Sequence, residues 1–197
     1  MNDNKREKIL LAAQELFSEK GFHETTVEEI AKQAGVAKGT VYIYFDSKEQ
    51  LFKEVIKSGF KELTRITEEK IESTSDPLEK IKLIVETYFN YFDINRSLFR
   101  PLMMGEIEIK SRPSQQKRRK YIENYMRNIR RLAEIMKEAI DMGYFKPDDP
   151  MHLSLALAGI MEKFIFFGIE EHQSLKPLPD IAFNIFVKGA LKEGVEL

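Results

Sequence analysis

Residues Thr25 to Lys48, TTVEEIAKQAGVAKGTVYIYFDSK, decide how the first part of this 197-residue chain folds. Thr25 and Thr26 stand three residues before Glu28 and Glu29, which writes two overlapping Thr-x-x-Glu capping boxes and predicts a helix start. Val27, Ile30, Ala31 and Ala34 recur at three- and four-residue steps, so that helix is short and amphipathic. Gly35 can take a positive φ and end it. Val36-Ala37 closes a turn of about three residues, and a second short helix is expected from Lys38 to about Tyr44. With small Ala31 and Gly35 near the crossing, the pattern is a helix-turn-helix, whose second helix fits the DNA major groove.

Working outward, residues 3–20 place Ile9, Ala12, Ala13, Leu16 and Phe17 on one face, and Gly21 ends that helix. It would pack behind the helix-turn-helix and complete a three-helix headpiece. Ser47-x-x-Gln50 is another capping box, opening a fourth helix at Lys48. Its apolar stripe runs from Leu51 to about Ile71, roughly 24 residues and roughly 36 Å. No flexible linker is expected between the headpiece and the remainder of the chain. Asp76-Pro77 starts a helix of about 77–94. Pro101 is expected to disturb any helix through 95–112, and Pro113 ends that region. A long helix of about 114–142 comes next, then one of about 150–170, capped by Asp149 with Pro150 first. The latter is apolar nearly all round and needs two partners. A last helix of about 180–192 carries Ile181, Ile185, Phe186, Gly189 and Ala190 on a broad apolar face.

Hydrophobic content of 43% and charged content of 32% fit a globular protein with ample core. The absence of Cys excludes a disulfide framework, a thiol nucleophile and a Cys-ligated metal, and fits a reducing cytoplasm. MNDNKREK at the start is charged and does not resemble a secretory signal. The apolar run Leu153–Ile169 contains Glu162 and Lys163 and is expected to be too short for a membrane span, hence core. Net charge is −1, and residues 1–60 hold nine Lys/Arg against ten Asp/Glu. A headpiece without bulk positive charge must bind DNA through well-placed donors, giving weak non-specific affinity and a modest salt slope.

The residues AGVAKGTVYIYFDSKEQLF resemble the signature of the TetR family of bacterial transcriptional repressors. That signature is a Gly-Val turn, a small residue, Lys/Arg-Gly-Thr, a Tyr, a Phe, then Ser-Lys-Glu-x-Leu. The match is close over about residues 5–55. Beyond it only the helical layout is similar, because the C-terminal halves of the family diverge. Two departures stand out. Ala37 occupies the place of a common capping Ser, at a cost of about 1 kcal/mol, and Tyr44 replaces the commoner His.

The resemblance implies an all-α fold of about nine helices. Residues 1–47 would form the DNA-binding domain, continuous with a ligand-binding and dimerisation domain over 48–197. It places DNA contacts on Thr26, Lys38, Gly39, Thr40, Tyr42, Tyr44 and Lys48. Thr26 and Lys48 stand at helix starts, where phosphates are held. Lys38 can reach guanine acceptors. Gly39 admits close backbone approach, Thr40 offers a methyl or a hydroxyl, and the tyrosines offer phosphate donors. Without DNA, the same segment would be a plain helical hairpin with Val41 and Phe45 in its core. The family also implies a pocket for a small hydrophobic effector, with Phe89, Phe92, Met103, Met126, Phe164 and Phe167 as candidate lining. Most of these also read as ordinary core. The basic stretch 112–131, eight Lys/Arg and one Glu, reads first as a solvated face, next as the mouth of a pocket for an anionic ligand such as an acyl-CoA, and last as a rival nucleic-acid site. A homodimer through the last two helices would place two recognition helices about 34 Å apart on a palindrome.

No catalytic constellation, metal site or cofactor is expected: His23, His152 and His172 lack ligand spacing, and there is no phosphate-cradling Gly loop or nucleophile elbow. The reading is therefore a cytoplasmic, ligand-responsive repressor, not an enzyme and without a membrane. The alternatives are a helical hydrophobe- or lipid-binding protein without DNA activity, and an activator of the same fold.

Overall fold

The computed structural model describes residues 3–105 and 115–191. Among them the chain forms α1 (Asp3–Glu24), α2 (Val27–Gln33), α3 (Lys38–Tyr44), α4 (Lys48–Ile71), α5 (Pro77–Ile94), α6 (Arg96–Met103), α7 (Gln115–Asp141), α8 (Pro150–Glu170) and α9 (Leu178–Ala190). No strand forms among the described residues; an isolated bridge joins Phe145 and Leu191. The all-α expectation with about nine helices holds.

Two compact units divide the chain. One contains α1–α3, α4 as far as Glu62, and α6. Its core holds Ile9, Leu16, Phe17, Phe22, Ile30, Leu51 and Phe52. The Phe52 ring meets Phe17 edge-on at 5.2 Å and Phe22 at 4.9 Å, geometries that aromatic quadrupoles favour. Gly21 breaks α1 with φ 80 and ψ 173, backbone angles open to glycine alone. The buried Thr25 hydroxyl then reaches back to the carbonyls of Gly21 (2.8 Å) and Leu16 (3.2 Å). Only one of the two expected capping boxes therefore forms. Thr25 faces inward, and Thr26 with Glu29 makes the cap.

Over residues 95–105 the structure corrects the sequence reading, because Pro101 lies inside the helix α6, while the expected end at Pro113 lies outside the described residues. The missing proline N–H leaves one carbonyl, that of Ser97, without its helical partner, and Ser97 is exposed to water. Leu98, Phe99 and Pro101 are buried, and Phe99 meets Phe60 of α4 at 5.2 Å. Packing on one side outweighs a single lost bond on the other.

The second unit contains the rest of α4, then α5 to Asp93, and α7–α9. Lys80 on α5 pairs with Glu138 on α7 at 2.7 Å. Asp93 accepts a hydrogen bond from the Leu175 N–H at 3.2 Å, and the Lys146 N–H donates to the Ala190 carbonyl at 2.9 Å, fixing both ends of the segment holding α9. Helix α8 is capped by Asp149, which accepts from the Met151 N–H at 2.8 Å. It buries Leu157, Met161, Ile165 and Ile169 and packs against α7 and α9. The expectation that this run is too short to span a membrane needs correction. At 21 residues, α8 is long and apolar enough by length and composition alone. Packing against α7 and α9 accounts for part of that apolar character, with 33% of the apolar stretch buried in the protomer.

The other side of α8 stays uncovered in the protomer, with Leu155 and Phe167 exposed; α9 adds exposed Ile181 and Ile185. Phe186 leaves the broad apolar face read from the sequence. It is buried and meets Phe145 edge-on at 5.8 Å, so it belongs to the protomer's own core.

Candidate nucleic-acid interface

Thr26 caps α2 from both directions. Its hydroxyl accepts from the Glu29 N–H (3.2 Å) and donates to the Glu29 carboxylate (3.0 Å), which also accepts the Thr26 N–H (2.9 Å). Lys20 adds an ion pair to Glu29 at 2.8 Å. That pair, followed by the two Thr26 hydrogen bonds, holds the Glu29 carboxyl down to about 2, so the cap keeps its charged form through the physiological range. At the other end, Gly35 takes φ 66. The Val36 N–H donates to the Ala31 carbonyl (2.9 Å) and the Gly35 N–H to that of Lys32 (3.2 Å), a Schellman stop.

Helix α3 comes immediately after. Its N-cap, Ala37, makes no side-chain cap bond. Val41 is its one buried residue, and Phe45, just beyond its end, is also buried. The Phe45 N–H closes on the Val41 carbonyl at 3.0 Å, and the Arg6 guanidinium lies 5.3 Å from the Phe45 ring centre. These two apolar residues, four apart, set the rotation of α3 and leave the rest of its surface outward.

All seven predicted DNA-contacting residues fall in this one unit. Thr26, Lys38, Gly39 and Tyr42 are exposed; Thr40, Tyr44 and Lys48 are half-buried. Thr26, Lys38 and Lys48 are already engaged. The Thr26 proton points to Glu29. Lys38 pairs with Glu28, which raises the lysine's pKa and lowers the glutamate's. Lys48 is held most firmly. Its ammonium donates to the carbonyls of Phe22 (2.9 Å), Thr25 (2.9 Å) and His23 (3.5 Å) and lies 4.3 Å from the centre of the Phe22 ring. An ammonium has three protons, and here three acceptors take them. Ile43, which the sequence reading did not single out, is 78% exposed on the outer side of α3. With Val41 placed in the core, a position two residues on falls on the far side, and that phase was the available signal.

The candidate pocket residues fall outside the helix-turn-helix. Phe89 and Phe92 are buried on α5, while Met126 on α7 and Phe164 on α8 are half-buried. Phe167 is 54% exposed, in line with the uncovered side of α8. Met103 ends α6 in the first unit. In the second unit, Arg131 of α7 bridges Glu134 (3.0 Å) and Glu68 (3.3 Å). The Tyr88 phenol is pushed up to about 12, chiefly by burial and then by Glu68 and Tyr125. In the basic stretch, Arg119, Arg127, Arg130 and Arg131 are exposed. Arg112 and the side chains of Lys117, Arg118 and Lys120 lie outside the described residues. Among the described residues no group of His, Asp and Glu has metal-binding geometry.

Residues 9–55 match the model of the bacterial regulatory proteins, tetR family. The fatty acid metabolism regulator protein of Bacillus subtilis is 33% identical over 140 residues, 70% of this chain and 69% of that protein. The HTH-type transcriptional regulator YdgC of Bacillus subtilis is 29% identical over 96% of this chain and 94% of its own. Among solved structures, the transcriptional regulator FadR from Bacillus subtilis in complex with stearoyl-CoA is similar with a TM-score of 0.70 and 25% identity, covering 93% of this chain and 98% of that one. With a capped helix, a Schellman turn and an outward second helix at residues 26–44, the chain belongs to the tetR family of bacterial regulatory proteins and is a helix-turn-helix transcriptional regulator.

Proposed function

We propose that this regulator is a cytoplasmic repressor that binds a palindromic operator as a homodimer and is released by a small hydrophobic effector with an anionic head, of the acyl-CoA class. Residues 1–47 would carry DNA binding, and 48–197 ligand binding and dimerisation. The observation that carries the reading is α3, anchored by Val41 and Phe45 and otherwise turned outward. The effector class draws on the FadR structure, whose bound molecule is stearoyl-CoA, and on the exposed arginines of α7. The uncovered sides of α8 and α9 would meet their copies across a two-fold axis. Helix α4 contributes residues to both units. In this reading an effector bound in the second unit would shift α4 and with it the spacing of the recognition helices, and a coupling of about 1–3 kcal/mol would suffice for release.

The test is fluorescence anisotropy on DNA from upstream of the protein's own gene, with and without stearoyl-CoA. A specific complex is expected, weakened about tenfold or more by Lys38→Ala and dissociated by micromolar acyl-CoA. Absence of any specific complex at low salt, with and without ligand, would sink the repressor reading.

Lys48 acts in this scheme as a clamp between α4 and the corner before α2. DNA contacts then fall to the other six residues, with the phosphates left to Thr26, Thr40, Tyr42 and Tyr44. Lys48→Met is expected to cost about 1–2 kcal/mol of stability, because the three carbonyls lose their donor. The dependence of log K on log salt should keep its slope. A phosphate-bound lysine would instead reduce the slope by about 0.9 per half-site, and that result would return Lys48 to the DNA.

A further inference from the structure

Helix α3 turns about 100° per residue. Val41 faces the core, so Gly39 and Ile43, each two residues away, both project to the opposite side. They are four apart and stack along one line, the outermost line of the helix. That line is apolar. Ile43 is 78% exposed, far more than its neighbour Tyr42 at 46%. Gly39 offers no side chain, and a Cβ built there meets nothing within 4 Å. The protein's own packing therefore does not require glycine at this position, although glycine is among the poorest helix formers. What a bare backbone beside a protruding isoleucine does permit is close approach to an external surface that itself carries an apolar group. In the major groove of DNA only thymine presents one, its C5-methyl.

We infer that Ile43 selects a thymine in each half-site by packing on its C5-methyl, and that Gly39 is bare so that the helix can come close enough for this contact. The inference rests on the operator-binding reading and adds the base that α3 distinguishes without a hydrogen bond. Isoleucine has neither donor nor acceptor, so guanine, cytosine and adenine offer it nothing comparable.

The probe is a duplex enriched from a randomised pool on the full-length protein. Each thymine is replaced in turn by deoxyuridine, which removes the methyl and leaves the pairing edge intact. One symmetry-related pair of positions is expected to lose about fourfold in affinity per half-site, and about fifteenfold when both are changed. Ile43→Ala should bind the parent duplex about as weakly as the wild type binds the doubly changed one. It should lose nothing further at that pair and should keep the wild-type Tm, since Ile43 is largely exposed. Gly39→Ala should raise Tm by about 2–4 °C while weakening operator binding at least tenfold. A flat deoxyuridine scan, or an unchanged penalty at that pair in Ile43→Ala, overturns the inference while operator binding stands. If no duplex enriches, the operator-binding reading fails and takes this inference with it.

Discussion

Replacing Ile185 by glutamate is expected to convert the protein to a monomer at micromolar concentration and to weaken operator binding by two orders of magnitude or more. Ile185 and Ile181 on α9 and Phe167 and Leu155 on α8 are 42–54% exposed in the protomer, too many large apolar groups on two adjacent helices for a surface that meets only water. A two-fold pairing buries each of them twice. It would bury each new carboxylate twice as well, and desolvating one unpaired ion costs several kcal/mol. Loss of the dimer removes bivalency, and the second half-site must then be filled at bulk concentration; linked sites exceed single ones by about 10²–10⁴. Sedimentation velocity with an operator titration reads both effects. A variant that remains dimeric with wild-type affinity would rule this interface out. Phe186→Glu is not an equivalent test, because Phe186 is packed against Phe145 and its loss disrupts the protomer itself.

Phe45→Ala should abolish specific DNA binding without touching any DNA-facing residue. Phe45 is 2% exposed, and with Val41 it supplies the apolar anchorage of α3. Removing a buried phenylalanine costs about 3–5 kcal/mol, a large share of the about 5–15 kcal/mol that holds a domain together. The recognition helix lacks a side-chain cap at Ala37 to compensate. The contrast with Ile43→Ala is diagnostic: that variant keeps its Tm and loses discrimination, whereas Phe45→Ala loses Tm and binding together. Operator affinity within threefold of wild type would show that something else holds α3 in place.

Patterns of one period were legible in the sequence. The stripe and capping box that open α4 at Lys48 correspond to a helix over Lys48–Ile71, and Asp149-Pro150 starts α8 as expected. Features that depend on the third dimension were not. Thr25 and Thr26 carry the same pattern, and only burial of the first decides which of them caps α2. Pro101 looks like a break until its neighbours Leu98 and Phe99 are seen packed. The pairing of Lys38 with Glu28 and the seat of Lys48 on carbonyls 23 to 26 residues away join positions that no local spacing connects. The recognition helix was identifiable, but which of the candidate DNA-contacting donors were already engaged was not.

The headpiece directs much of its positive charge at itself. Arg6 and Lys57 face Glu54, Lys20 faces Glu29, Lys38 faces Glu28, and Lys48 faces backbone oxygens. A chromosome offers about 10⁶ or more competing sites, and a strongly basic protein spends most of its copies parked on them. A headpiece with little bulk attraction leaves most of its molecules free in solution. Few copies per cell then suffice to keep an operator filled. In the proposed scheme the switch would be set by the concentration of effector more than by the abundance of the regulator.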